Sequence, residues 1–240
     1  MSRPPVIRYS ATSHVGLVRK VNEDAILTAP EARIWAVADG MGGHAAGDVA
    51  AGIVIDALAM VPHDLAPAAL MQATRGALHR AHDAIRTEAR TRAVDTMGAT
   101  VVTLSLADGH FVAFWAGDSR LYRFREGEVE LLTHDHSAVA ELVEAGAMTW
   151  DEAELHPMSN MVTRAVGVGE VLELDKIRGA LRAGDRFLLC SDGLSRHATF
   201  DALRRLVPRA PIETVTDTLL SHAMAGGARD NVSIIVVDVI

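Results

Sequence analysis

The sequence predicts an α+β fold: a four-layer α/β/β/α sandwich of two packed antiparallel sheets flanked by helices. Residues 34–38 and 187–190 are apolar at consecutive rather than alternate positions, which calls for strands buried on both faces. The pairs Asp108-Gly109 and Glu126-Gly127 punctuate short strands as hairpin turns, so pairing is antiparallel. Two sheets packed together, each with helices on its outer side, satisfy both observations.

The elements follow in order. A strand over residues 6–12 leads to Ser13-His14-Val15-Gly16 and a turn carrying Arg19, Asn22, Glu23 and Asp24. After the buried strand 34–38, helices are expected over 45–60 and 66–90. In the second, Leu70, Ala73, Ala77, Ala81 and Ile85 recur at helical spacing, with His79, Arg86 and Arg90 between them. Short strands fill 100–132. Residues 134–169 are polar, helix-prone and free of strand-like runs, with a short apolar stripe of Val139, Leu142 and Val143. This segment is expected outside the sandwich, beside one rim. Strands resume at 172–177 and 186–191, and helical patterns at 200–206 and 212–224 precede a final strand from Asn231. No repeat, linker or low-complexity tract divides the chain, so residues 1–240 read as one domain.

Composition narrows the function. No apolar run approaches the ~18–20 residues that span a bilayer, and no signal-peptide core follows Met1. Cys190 is the one cysteine, so an internal disulfide is impossible, which fits a reducing cytoplasm. A net charge of −8 argues against a nucleic-acid partner, which needs a clustered basic surface. The eleven histidines lie mostly on polar faces and read as solvated.

Four aspartates sit where apolar strands meet turns. Asp39 follows the run 34–38 and opens Gly40-Met41-Gly42-Gly43-His44. Asp118 closes the strand through Trp115-Ala116-Gly117, Asp192 follows Cys190-Ser191, and Asp230 begins the last strand. Strand exits and the entries of their antiparallel neighbours share an edge, so these carboxylates can gather at one rim. Hard oxygen donors so arranged suit Mg²⁺ or Mn²⁺. The chain therefore reads as a two-metal hydrolase.

An ordered series of motifs extends this reading. Arg19…Asn22-Glu23-Asp24, Ala38-Asp39-Gly40-Met41-Gly42-Gly43-His44 and Ala116-Gly117-Asp118-Ser119-Arg120 are followed by Asp135-His136-Ser137. Then come Asn160…Thr163-Arg164-Ala165-Val166-Gly167, Cys190-Ser191-Asp192-Gly193-Leu194 and Arg229-Asp230-Asn231-Val232. From about Ser10 onward the sequence resembles bacterial metal-dependent serine/threonine phosphatases of the phosphatase 2C (PPM) family. The resemblance implies hydrolysis of phosphoserine and phosphothreonine monoesters, a single catalytic domain with a flap near 134–169, and a cytoplasmic monomer. Its partners would be phosphoprotein substrates and an opposing serine/threonine kinase.

The resemblance also assigns roles. Asp39 bridges two tightly bound Mn²⁺ or Mg²⁺ ions, the Gly40 carbonyl binds one of them, and Asp192 and Asp230 bind the other. Glu23 acts on their water shell, and Asp118 with Asp192 holds a weaker third ion. Two divalent ions ~4 Å apart repel by roughly 16 kcal/mol at an effective dielectric of 20, so several carboxylates are needed to hold them. Arg19 forks onto the phosphate oxygens, and water attacks phosphorus in line without a phosphoenzyme. Some eukaryotic relatives carry a histidine two residues after the bridging aspartate as a proposed general acid. Met41 stands there, so leaving-group protonation stays open among His44, His136 and water.

Rival readings are weaker on chemical grounds. The 40–43 glycines lack the Gly-Lys-Ser/Thr ending of a nucleotide loop. Cys190 and Arg196 have the spacing of a cysteine-phosphatase loop, but Asp192 would put a negative charge inside the phosphate cradle. A catalytically inactive phosphoprotein-binding relative remains the alternative from another class. Such relatives lose metal ligands, and Asp39, Asp192 and Asp230 are all present.

Overall fold

A computed structural model describes residues 5–42, 46–149, 156, 158 and 161–240. Its strands are β1 (Ile7–His14), β2 (Asp24–Ala29), β3 (Ile34–Gly42), β4 (Met97–Ala99), β5 (Val101–Ala107) and β6 (His110–Ala116). They continue as β7 (Arg120–Arg125), β8 (Glu128–Leu131), β9 (Asp175–Ala180), β10 (Arg186–Cys190) and β11 (Val232–Val239). One antiparallel sheet runs β1-β11-β10-β7-β8; the other runs β2-β3-β5-β6-β9, with β4 paired to β3.

Side-chain alternation on the central strands sorts the core into three layers. From β3, Trp35 and Val37 face the other sheet, while Ile34, Ala36 and Ala38 face helices. From β10, Phe187 and Leu189 meet that inner layer while Leu188 and Cys190 face outward. Helices α1 (Gly47–Ala59) and α2 (Pro67–Arg92) cover one sheet. The single turn α4 (Asp192–Ser195), α5 (Phe200–Leu206) and α6 (Val215–Ala225) cover the other. The four-layer sandwich is thus the observed architecture.

Local chemistry explains the element boundaries. In α2, Pro67 occupies the first turn, where its missing N–H costs nothing, and Ala93 ends the helix in a left-handed conformation. Its buried face is Leu70, Thr74, Ala77, Leu78, Ala81, His82 and Ile85, the helical spacing the sequence shows. At the β5–β6 and β7–β8 hairpins, Asp108-Gly109 and Glu126-Gly127 all have positive φ, the two-residue turn that matches strand twist.

Four expectations need correction. β3 does not stop at Ala38 but runs through Asp39 to Gly42, because residues 40–42 pair with β4. The strand expected at 172–177 lies at 175–180. Leu172 and Leu174 turn into the helix-side core, and pairing with β6 begins at Trp115↔Asp175. The segment 134–169 is only partly peripheral. Helix α3 (Ala138–Glu144) is capped by Ser137, but Val166 is fully buried and bridges Ala99. Finally, His82 and His136 are buried rather than solvated. His44 and Asn160 lie outside the described residues.

Candidate metal centre

The site is built from both sheets. Asp24 and Asp39 are directly opposed in the β2–β3 ladder. Directly opposed strand residues have Cβ atoms about 5 Å apart. Asp192 and Asp230 come from the neighbouring ends of β10 and β11, and Asp118 from the crossover between β6 and β7. Five carboxylates therefore converge, where a single sheet edge was expected to gather four.

Their electrostatics follow from crowding without cations. Burial is the largest influence on Asp39, and the charges of Asp24, Asp192, Asp118 and Asp230 add to it, holding its pKa well above the usual range. Burial also raises Asp24 to about 7, against hydrogen bonds from Ser233 and Ser191, and raises Asp118 to about 7 with Asp192 and Asp135 adding. Asp192 is raised by burial in spite of the Arg196 guanidinium. Glu23 at the rim is raised for the same first reason, burial. A buried carboxylate must be protonated or meet a cation.

Two oxygens show which outcome the site is built for. Asp24 Oδ1 and Asp192 Oδ1 are buried without a hydrogen-bond partner, although their sister oxygens are bonded. Acceptors left open beside other carboxylates fit a hard divalent cation. The donor set, all oxygen and no thiolate, agrees. The carboxylates of Asp24, Asp39, Asp118, Asp192 and Asp230 are close enough to influence one another and could hold such ions, with Glu23 at the rim.

The backbone around them admits little change. A Cβ on Gly40 would lie 2.0 Å from the Gly47 carbonyl oxygen and 2.6 Å from that of Glu23, so only glycine brings α1 and the Glu23 loop this close. Asn231 ties that loop down. Its Oδ1 accepts the Glu23 N–H at 2.8 Å, and its Nδ2 donates to the Val15 and Val21 carbonyls at 2.9 and 3.0 Å. Ser191 bridges the sheets, donating to Asp24 Oδ2 at 2.8 Å and accepting the Ser233 N–H.

Arg19 is exposed and donates to Asp230 Oδ2 at 2.8 Å, and Arg196 donates to Asp192 Oδ2 at 2.8 Å. Sequence reasoning did not single out Asp24 or Asn231. The signal for Asp24 was its place directly after Glu23 at the start of a strand facing the Asp39 strand. Cys190 is fully buried, and burial pushes its thiol up to about 12, which disqualifies it as a thiolate nucleophile. His136 is 3 % exposed and both ring nitrogens are engaged, by the Gly117 N–H and by Asp175. A ring so buried and occupied has its proton committed to Asp175 rather than free for a leaving group.

Comparison with known proteins agrees with this geometry. The family model for protein phosphatase 2C matches residues 13–233. The serine/threonine protein phosphatase PstP of Mycobacterium tuberculosis is 38 % identical over 236 residues, covering 98 % of this chain and 45 % of the relative. This chain thus spans about half the length of that relative. Among solved structures, PppA, a key regulatory component of T6SS in Pseudomonas aeruginosa, superposes with a TM-score of 0.91 at 43 % identity, covering 98 % of each chain. The catalytic domain of PstP in complex with two manganese ions gives 0.86 at 36 % identity, covering 98 % of this chain and 99 % of that one. The chain belongs to the protein phosphatase 2C family.

Proposed function

We propose that this protein is a metal-dependent phosphatase that hydrolyses phosphoserine and phosphothreonine in proteins, opposing a serine/threonine kinase in the cytoplasm. The observation that carries the reading is the convergence of five carboxylates from both sheets, with two buried oxygens left open. Asp39 would bridge two Mn²⁺ or Mg²⁺ ions with the Gly40 carbonyl on one side and Asp192 and Asp230 on the other. Asp118 and Asp192 would hold a weaker third. The ions' contribution is to acidify a water and neutralise developing charge.

The chain's own groups do the rest. Arg19 leaves Asp230 to clamp phosphate oxygens with its planar fork. Glu23, held by Asn231, orients water, while Asp24, fixed by Ser191, steadies the Asp39 ladder position. With His136 committed elsewhere, solvent or His44 protonates the leaving oxygen. The 134–169 segment is closed on itself at its base by the Ser137–Val162 bridge and anchored to Ala99 through Val166, which supports its acting as a flap that guides protein substrates.

The deciding experiment measures release of phosphate from p-nitrophenyl phosphate and from phosphothreonine peptides with Mn²⁺, after chelation, and after Mn²⁺ is restored. Turnover should vanish with chelation and return with metal. Turnover that survives exhaustive chelation rules out the two-metal site. Metal binding with phosphopeptide retention but no turnover would instead favour the inactive binding module. An Asp39→Asn variant incubated with phosphorylated lysate would then retain the physiological substrates.

A further inference from the structure

Beside the carboxylate cluster, a second group converges. His134 Nε2 and His136 Nε2 lie 2.8 and 3.0 Å from Asp175 Oδ2, and the three atoms fall within 4.8 Å of one another. Two histidines and a carboxylate suit a transition metal. The hydrogen bonding excludes His136 as a neutral ligand. The Gly117 N–H points at His136 Nδ1 at 3.1 Å, and only a lone pair can accept it. The neutral ring therefore carries its proton on Nε2 and donates it to Asp175. A metal-bound imidazole shows the reverse, with its second nitrogen as donor.

What His136 holds is Gly117, the residue before Asp118. Besides the ring bond, the His136 N–H donates to the Gly117 carbonyl at 3.0 Å, so one residue takes both polar atoms of Gly117. Gly117 has φ +115°, and a Cβ there would lie 2.5 Å from Thr100 Cβ, so the turn is left-handed and tightly backed. The ring itself is buried and stacks on Trp115 at 6.2 Å between centroids. On its other side the His136 carbonyl accepts the Thr163 N–H at 2.8 Å, and Ser137 bridges Val162. The turn that presents Asp118 is thus tied to the base of the 134–169 segment through one residue, His136, by its ring and its backbone.

We propose that His136 is a positioning residue. Through Gly117 it fixes Asp118 where the weaker third ion is held, and it couples that ion to the placement of the flap-like segment. This rests on the third-ion reading given above.

The test is a calorimetric titration with Mn²⁺ of wild type, His136→Gln, His136→Asn, His134→Ala and Asp175→Ala, with turnover on p-nitrophenyl phosphate followed in parallel. His136→Gln keeps the reach to Asp175 but has no acceptor at the Nδ1 position. Its third binding event should weaken about tenfold or more while the two tight events stay within about threefold. Turnover should recover at high Mn²⁺. His136→Asn places Oδ1 where Nδ1 stood and should restore the third event to within about threefold of wild type. Asp175→Ala, which unanchors the ring, should weaken it severalfold, so the outcome does not hang on one variant folding. His134→Ala should leave it unchanged.

A third event indifferent to His136→Gln and Asp175→Ala overturns the proposal, as does failure of His136→Asn to restore it. Equal loss in His134→Ala overturns it too, because the histidine–carboxylate group would then be the ligand. A wild type with only two events removes the third-ion reading and this inference together. A wild-type third event that ignores His136 removes the inference alone.

Discussion

The two ends of the sandwich use the same residue types to opposite effect. At the end where β10 begins and β11 finishes, Arg125 binds Asp185 through two bonds of 2.6 and 2.7 Å, and the Arg182 N–H adds a third at 2.8 Å. Arg186 likewise forks onto Asp238 and donates to the Val207 and Ala210 carbonyls. At the other end, Asp24 and Asp192 each keep an oxygen with no partner. One end is neutralised by the chain itself, while the other keeps buried carboxylate oxygens open beside its Arg19–Asp230 and Arg196–Asp192 pairs. A cavity of about 400 Å³ opens at the self-neutralised end, lined by Arg125, Asp185, Arg186 and Asp238. The charges that line it are already spent on each other.

The comparison breaks most easily at Asp39. Asp39→Asn should abolish turnover and empty both tight metal sites in a calorimetric titration, with the fold intact by circular dichroism. Activity near wild type would mean the open end is not the catalytic one.

At the closed end, Asp185→Asn should do the reverse. It leaves Arg125 without its buried partner at a cost of about 3 kcal/mol, or roughly 6–12 °C in melting temperature for a domain of this size. The Michaelis constant and turnover of the folded fraction should hold. A loss of turnover without loss of stability would erase the distinction between the ends.

The open end should also show an inverted pH response. A carboxyl whose folded pKa lies above its unfolded value near 4 holds a proton that the unfolded chain gives up. For Asp24 and Asp118, both raised to about 7, that window runs from about pH 4 to 7, and stability falls as pH rises through it. Chelated protein should therefore melt several degrees lower at pH 8 than at pH 5.5. Saturating Mn²⁺, which binds the ionised form, should reverse the order. Parallel curves with and without metal would contradict the assignment.

Asp118→Asn should produce a smaller effect, slowing turnover chiefly at low Mn²⁺. Affinity at the tight sites should stay within about tenfold, or ~1.4 kcal/mol. Emptying of both tight sites would show that Asp118 belongs with Asp39. The smallest change is expected for Cys190→Ser, which should retain most activity, since a fully buried thiol raised to about 12 supplies no nucleophile.

Much of this contrast is legible in the residues. Consecutive apolar positions in β3 and β10 announce burial on both faces, and Asp108-Gly109 and Glu126-Gly127 announce their hairpins. Asp39, Asp192 and Asp230 stand out because carboxylates rarely end buried strands. Asp24 is harder to see, since its importance comes from cross-strand register with Asp39, which no local pattern encodes. His136 looked like a surface histidine or an acid, because the Gly117 N–H that claims its Nδ1 lies nineteen residues away in the chain. The extension of β3 to Gly42 was hidden for the same reason, its partner β4 being a three-residue strand beyond two helices.

The pairing of β1 with β11 sets the order in which the protein can assemble. Their closest register partners, His14 and Val232, are separated by more than two hundred residues. Contacts of that range are slow, because the loop between them must close before the bonds reward it. During synthesis, β2, β3, β5 and β6 can pair while the sheet that needs β11 between β1 and β10 still has open strand edges. Asp230 is also the last member of the carboxylate cluster to be made. Until it arrives, Asp24 and Asp39 face each other across the ladder without the rest of the carboxylate cluster, so completion of that cluster and closure of the second sheet are late events that come together.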